Sequence, residues 1–351
     1  MKILHINTEP WDSGLTEYSL ALAKAQNKKH DVIYASTTGN YCIKKAIELG
    51  INTISYNKQI GLIKLLSSAR NFKPDVINAH TGSAHSYAVL ISLFLPKTKV
   101  IRTRADARIM KLKPLAPFLW KHTDGFISAN TNISQQFISL PVEKAHIKHT
   151  VIMQGIEGIK ISGTKTNKSI VIGKIARLDP VKGHSTLISA LKKVTDKYPN
   201  TILKCAGKEE NIKITELKQQ ANRLGLKKNV KFDGYVEDIT KFIKSCDIGV
   251  ISSIGSEEVS RAALEWLSAK KPLIVTDVGG MQDIVTNNKN AIIAPPKNCD
   301  KLAEAIINLI ENKDTAQKLA NAGYKEYSEN FTLEIFAKKT EQFYKLVQKN
   351  G

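Results

Sequence analysis

Four consecutive apolar residues, Ile248 to Ile251 (IGVI), restrict the fold of this chain more than any other stretch. A short run that is apolar on both faces reads as a strand covered on both sides, the habit of parallel α/β sheets. Small polar residues, Ser252 to Ser256, follow as a loop at its carboxyl end. A helix is predicted from Glu258 or Val259, with Ala262, Ala263, Trp266 and Leu267 at helical spacing, and Pro272 ends it. Pro272 to Thr276 is a second short strand, and Asp277-Val-Gly-Gly is a turn opening a further helix. Loops at the carboxyl ends of parallel strands are where such sheets bind ligands. Glu257 stands in that loop and Glu265 two turns into the helix, so both can line one elongated site. The Gly279-Gly280 backbone, before a helix N-terminus, suits a phosphate.

The same grammar recurs from the start of the chain. Lys2 to Asn7 is a strand, Thr8 to Leu15 a loop, Thr16 to Ala25 an amphipathic helix and Asp31 to Ala35 the next strand. The opening MKILHINTEP is expected as this strand and not as a secretory leader. Ile159 to Ser169 is polar, Lys-rich and weakly patterned, a linker. Ile170 to Ile175 then restarts a sheet. Two Rossmann-like doubly wound α/β domains follow, residues 1–160 and 170–332, with the helix at 333–349 packed back on the first. No G-x-G-x-x-G occurs, so a dinucleotide fingerprint is missing. Cys42, Cys205, Cys246 and Cys299 are widely spaced, which suggests neither a zinc site nor a disulfide framework.

The formal net charge is +20. Between Lys97 and Lys121 eight basic residues face one acid, Asp106. Such a surface attracts polyanions: nucleic acid, anionic lipid or a phosphorylated substrate. Ile109 to His122 (IMKLKPLAPFLWKH) alternates lysine with apolar residues and is broken by Pro114 and Pro117. It suits an anionic membrane surface, with Lys111, Lys113 and Lys121 on headgroups and Trp120 at the interface, or else a core-packing loop and helix.

The segment from Glu257 to Gly280, Glu-x7-Glu followed by Pro-x3-Thr-Asp-x-Gly-Gly, resembles the signature of family 4 of the retaining, GT-B-fold glycosyltransferases. The resemblance implies two Rossmann-like domains facing each other across a cleft, with the donor bound by the second. It assigns Glu257 to hydroxyls of the donor sugar and Glu265 to the ribose. The family usually carries Gly-Phe-Gly after its first Glu; here Glu258-Val259-Ser260 and then Arg261 stand there, and are expected to approach the donor. Ala176-Arg177 to Lys182-Gly183 matches the family's Gly-Arg…Lys-Gly, whose Arg and Lys grip the nucleotide diphosphate. Fixed cations of this kind stabilise the charge of a departing diphosphate. Gly207 keeps one glycine of a Gly-x-Gly, and Tyr235 and Val236 fall where relatives place backbone near the base.

The first domain carries the resemblance more weakly. Gly14 replaces a Gly-Gly pair beside the donor phosphate, or is an ordinary tight turn. Pro74 to His80 resembles a strand ending in His-x-His, and His80 either bonds an acceptor or caps backbone groups. Relatives have a His-Asp pair where this chain has Ala105-Asp106. Arg102, Arg104 and Arg108 surround that position, either for an acidic acceptor or as a basic surface face.

The function expected is retaining transfer from a nucleotide-diphosphate sugar, UDP-linked, to a lipid-linked or lipopolysaccharide-core acceptor on the cytoplasmic membrane face. No cofactor or metal is expected, since Asp-x-Asp is absent and cations do the neutralising. The alternatives are a nucleotide-sugar epimerase of the same fold and a basic nucleic-acid binder; few aromatics and no recognition motif speak against the second.

Overall fold

Seven short apolar segments of the N-terminal half become the parallel strands β1 (Lys2–Ile6), β2 (Asp31–Thr37), β3 (Asn52–Tyr56), β4 (Val76–Ala79), β5 (Lys99–Arg104), β6 (Gly125–Ser128) and β7 (Lys148–Val151). The computed structural model describes residues 1–57, 59–106, 108–111, 114–161, 169–255 and 257–349. It divides into two units, Met1–Gly155 with Phe331–Gly351, and Ile156–Asn330. The first sheet runs β3-β2-β1-β4-β5-β6-β7, so chain order reverses between β1 and β4. Loops diverge there, leaving room at the carboxyl ends of those strands.

Helix Gly14–Gln26 starts where the Ser13 side chain accepts from the Thr16 amide. Helix Leu333–Lys349 belongs to this unit. Phe336 meets Tyr18 edge to face at 4.8 Å. Tyr344 is fully buried, with Asn78 donating to its hydroxyl at 2.6 Å. Among the described residues between Ile109 and His122, Ala116–Lys121 is the helical part, with Pro117 in the first turn where a missing amide costs nothing. Trp120 is buried against Phe126 and Phe137, not at an interface: the expectation is corrected by ring contacts with the strand and helix that follow it. Ile109, Leu115 and Phe118 are exposed instead. Lys113 of that stretch, and 162–168 of the expected linker, lie outside the described residues.

The second unit holds β8 (Val171–Ile175), β9 (Ile202–Ala206), β10 (Val230–Gly234), β11 (Ile248–Ile251), β12 (Leu273–Thr276) and β13 (Ile292–Ala294), all parallel, ordered β10-β9-β8-β11-β12-β13. The unit begins a few residues before 160. Tyr327 donates to the Ile156 carbonyl at 3.0 Å, and Ser268 Oγ accepts from the Ile159 amide at 3.2 Å.

One device seats the helix that follows β11. Gly173 and Gly249 are register partners on adjacent strands, and the indole of Trp266 lies against both. A Cβ at either position would stand 2.4 Å from the ring. Two neighbouring glycines thus make the floor on which a fully buried tryptophan rests. Truncating a buried aromatic costs about 3–5 kcal/mol, so this contact anchors helix Arg261–Ser268 firmly.

Two local expectations are corrected here. The helix starts at Arg261, later than Glu258 or Val259, because the Glu257 carbonyl is engaged by the Gly280 amide at 3.0 Å. After Gly280 comes only a single 3-10 turn, Met281–Asp283, and no α-helix. Gly279 instead presses on the Glu257 backbone: a Cβ there would lie 2.6 Å from the Glu257 carbonyl carbon.

Candidate functional site

The carboxyl ends of β8 and β11 frame a cavity of about 140 Å³ wholly within the second unit. Lys174, Lys182, Ser253, Glu257, Ser260 and Arg261 supply its polar lining. Each is put there by a local cause. Lys182 ends a 3-10 turn that Asp179 caps from the Val181 amide. Gly183 then takes a positive φ of 65° and lies so close to β11 that a Cβ would meet the Ser252 carbonyl oxygen at 1.9 Å. Only glycine fits that approach. Glu257 is held from behind by Gly279 and Gly280.

Glu257 is buried and accepts from Lys182 Nζ at 2.6 Å and from Ser253 Oγ at 2.5 Å. This is a charge-assisted pair in a low-dielectric pocket, so it fixes both side chains. Ser260 stands at the N-cap position of helix Arg261–Ser268. Its hydroxyl is buried without a partner among the described residues, and Ser260 lines the cavity. An unpaired buried hydroxyl costs about 1–3 kcal/mol, so a polar guest there recovers free energy. The amide end of the helix adds partial positive charge to the same point.

Lys174 is the member that sequence reasoning passed over. It is 1% exposed, with Nζ 3.0 Å from Ser252 Oγ. Burial lowers its pKa to about 8. The signal was present: a lysine inside IVIGKI, an otherwise apolar strand, is a charge where charges are rarely buried. His184, the next buried base, is pushed down to about 2 by burial and by Lys174, so it is neutral.

The other predicted donor-side residues do not line this cavity. Arg177, half exposed, stands 3.8 Å from Asp179 and 3.9 Å from Glu210. Glu265 is buried, its Oε1 accepting from Arg261 Nε at 2.9 Å. Gly207 at φ 154° comes against the Ala176 carbonyl, and its amide donates to Gly234 at 2.7 Å. That bond ties the loop after β9 to the end of β10. Tyr235 is exposed, with Lys208 Nζ 4.3 Å above its ring; Val236 beside it is half buried.

In the first unit, Gly14 is the first residue of its helix. His80 is buried with Nε2 3.0 Å from His5 Nδ1, and His5 in turn meets Gln26 Oε1 at 2.9 Å. Burial, with His5 and Arg102 nearby, holds the His80 pKa well below the usual range. His80 thus serves an internal network. Arg102 is buried too, donating to the Ala79 carbonyl at 3.0 Å and the Thr103 carbonyl at 2.5 Å, and burial brings its pKa down to about 9. Arg104 donates to Asp106 at 3.2 Å and to the Arg108 carbonyl. Asp106 also accepts from the Arg108 amide and side chain. Ala105 is buried, and of the three arginines only Arg108 is largely exposed. Among the described residues no group of three or more His, Cys, Asp or Glu side chains is placed to hold a metal ion.

Two parallel doubly wound units, with this paired-charge cavity in the second, have the architecture of the GT-B fold. Residues 156–326, nearly the whole second unit, match the family model "Glycosyl transferases group 1". That match takes in 171 of the chain's 351 residues and is confined to the second unit. It is 23% identical over 363 residues to a glycogen synthase of Mycobacterium tuberculosis, a match covering 98% of this chain and 84% of that protein. Two solved structures share the fold. A glycosyltransferase from Rickettsia africae superposes with a TM-score of 0.88 at 19% identity, over 100% of this chain and 99% of that one. The Anabaena protein Alr3699/HepE, solved in complex with UDP, gives 0.82 at 20% identity, over 98% and 99%.

Proposed function

We propose that the chain transfers a glycosyl group, with retention, from a UDP-linked sugar to a glycan or lipid-linked acceptor at an anionic membrane face. The observation that carries the donor reading is the cavity itself. Paired Lys182 and Glu257, Arg261, a helix N-terminus and an unpartnered buried hydroxyl converge on a volume suited to a phosphate group and the sugar carbon it leaves. The UDP complex of the Anabaena protein supports uridine as the base. In the reaction, the bond from the sugar's anomeric carbon to the diphosphate oxygen breaks as the acceptor oxygen attacks the same face. The acceptor proton passes to the departing phosphate oxygen. Lys182, with Arg177 from the adjoining turn, stabilises the charge that builds there. Glu257, already committed to Lys182 and Ser253, orients sugar hydroxyls instead of attacking the anomeric carbon.

Calorimetric titration with UDP, GDP and ADP, then their sugars, tests the donor reading. UDP is expected to bind at least tenfold more tightly than the purines, and the UDP-sugar is expected to be stable until an acceptor is added. Absence of binding by all three overturns the reading. Conversion of donor alone to an epimer reassigns the enzyme to epimerisation.

The membrane reading is supported by exposed Ile109, Leu115 and Phe118 among exposed Lys97, Lys111 and Lys121. Each lysine near an anionic surface contributes about 1 kcal/mol, so replacing all three with Glu is expected to weaken vesicle binding at least a hundredfold. Flotation with phosphatidylglycerol vesicles measures it; unchanged flotation removes the membrane claim. The cytoplasmic face and the lipopolysaccharide-type acceptor are part of this proposal.

A further inference from the structure

Lys174 has no counterpart in the Arg-and-Lys pair that the donor reading uses. It enters the cavity from β8. Its ammonium donates to Ser252 Oγ at 3.0 Å. Among the described residues no carboxylate lies within ion-pair distance of it. The nearest acid in the cavity, Glu257, is already taken by Lys182 at 2.6 Å. A buried cation without a counter-ion is expensive to keep, and cores normally replace it with an apolar side chain. This strand keeps it and points it at a cavity whose other exits are Lys182, Arg261 and an unpartnered Ser260 hydroxyl.

We infer that Lys174 is a third cation of the diphosphate subsite, its counter-ion being the ligand's phosphate. This inference rests on the donor reading above. It assigns Lys174 to binding and charge positioning, while Lys182 and Arg177 keep the roles given to them.

The charged groups that face Lys174 come from every element packed around it. Glu257 of the loop after β11 favours its charge, and so does Cys205 on β9; Lys182 of the 3-10 turn opposes it, and burial outweighs them all. His184, at the start of helix His184–Lys197, stays neutral throughout the working range. In the free enzyme Lys174 is therefore about half deprotonated near pH 8. A phosphate placed beside the ammonium favours the charged form and raises its pKa. Binding at pH 8 to 9 must then take up a proton. The stability sign runs the same way. Between about pH 8 and the unfolded lysine value, the unfolded chain binds more protons than the folded one, so stability of the free protein rises with pH across that window.

The test uses the whole protein and two diphosphate probes, UDP and inorganic pyrophosphate, with uridine as the phosphate-free control. Each is titrated into wild type, K174M, K174R and K174Q at pH 8.5, in two buffers of different ionisation heat. The expected result is a loss of at least about tenfold in UDP and pyrophosphate affinity for K174M and K174Q, with uridine binding unaffected. Proton uptake on binding is expected in wild type and absent in K174M, with K174R recovering part of the affinity. Free K174M is expected to melt higher than wild type at pH 7, since the buried charge is gone. Two results overturn the inference: unchanged affinity and proton uptake in K174M and K174Q, or a lower melting temperature with unchanged affinity. If wild type binds neither probe, the donor reading fails, and the role of Lys174 fails with it.

Discussion

Replacing Lys182 with alanine is expected to lower glycosyl transfer by roughly a thousandfold while leaving the fold in place. One fixed donor aimed at developing charge is worth about a hundred- to a thousandfold in rate. Lys182 does more than that. It also holds Glu257, through a 2.6 Å contact in a buried setting, where that carboxylate meets the donor sugar in the proposed mechanism. Without Lys182 the carboxylate keeps only Ser253 among the partners at Oε1 named above. Its position and the leaving-group stabilisation are lost together. Glu257→Ala is expected to cost a similar factor by the reciprocal route, since it leaves Lys182 in the cavity without its counter-charge. The two losses are not additive, because the residues act as one unit: the double variant should be little worse than either single one. Release of nucleoside diphosphate in the presence of acceptor measures the rate, and circular dichroism with a melting curve checks the fold. A near-normal rate in either correctly folded variant would refute the site.

Sequence pattern carried the architecture well, for a physical reason. Parallel strands covered on both faces, such as IGVI of β11 and VIGKI of β8, must be short and apolar, and the loops and helices between them announce themselves by composition. The paired residues of the site were also legible, because Lys182-Gly183 and Glu257 stand in stretches whose residue types have few other uses together. Three features were not. Burial of Trp120 depends on Phe126 and Phe137, contacts that local amphipathic reading does not register. The late start of helix Arg261–Ser268 depends on Gly280 claiming the Glu257 carbonyl, and helical periodicity is silent about a partner more than twenty residues away. Lys174 escapes alternation rules, which rank a residue by its neighbours and ignore the one charge that breaks the run. His80 and Arg102 illustrate the converse. Both look chemical in sequence, and in the structure His80 Nε2 meets His5 while Arg102 Nη1 donates to two carbonyls of the first unit.

The Gly279→Ala variant separates the two roles a glycine pair can have beside such a site. If Gly279-Gly280 served chiefly as a phosphate cradle, the methyl group would weaken binding of the diphosphate and leave Glu257 alone. The geometry points elsewhere. Gly279 adopts φ 60°, and an added Cβ would lie 2.6 to 2.8 Å from the carbonyl carbon, carbonyl oxygen and amide nitrogen of Glu257. Backbone atoms cannot swing away as a side-chain tip does, and a non-glycine residue in the left-handed region adds about 1 to 2 kcal/mol of its own. The segment holding Glu257 must therefore shift. A displacement near 1 Å at a positioned group costs on the order of a hundredfold in rate. The expected outcome is a transfer rate lowered about a hundredfold, UDP affinity within about threefold of wild type, and a melting temperature several degrees lower. Equal loss of UDP affinity and rate would return the glycine pair to the phosphate and take Glu257 out of its dependence on them. Unchanged kinetics would show that the loop before helix Arg261–Ser268 yields without cost, against the tight packing that Trp266, Gly173 and Gly249 impose on it.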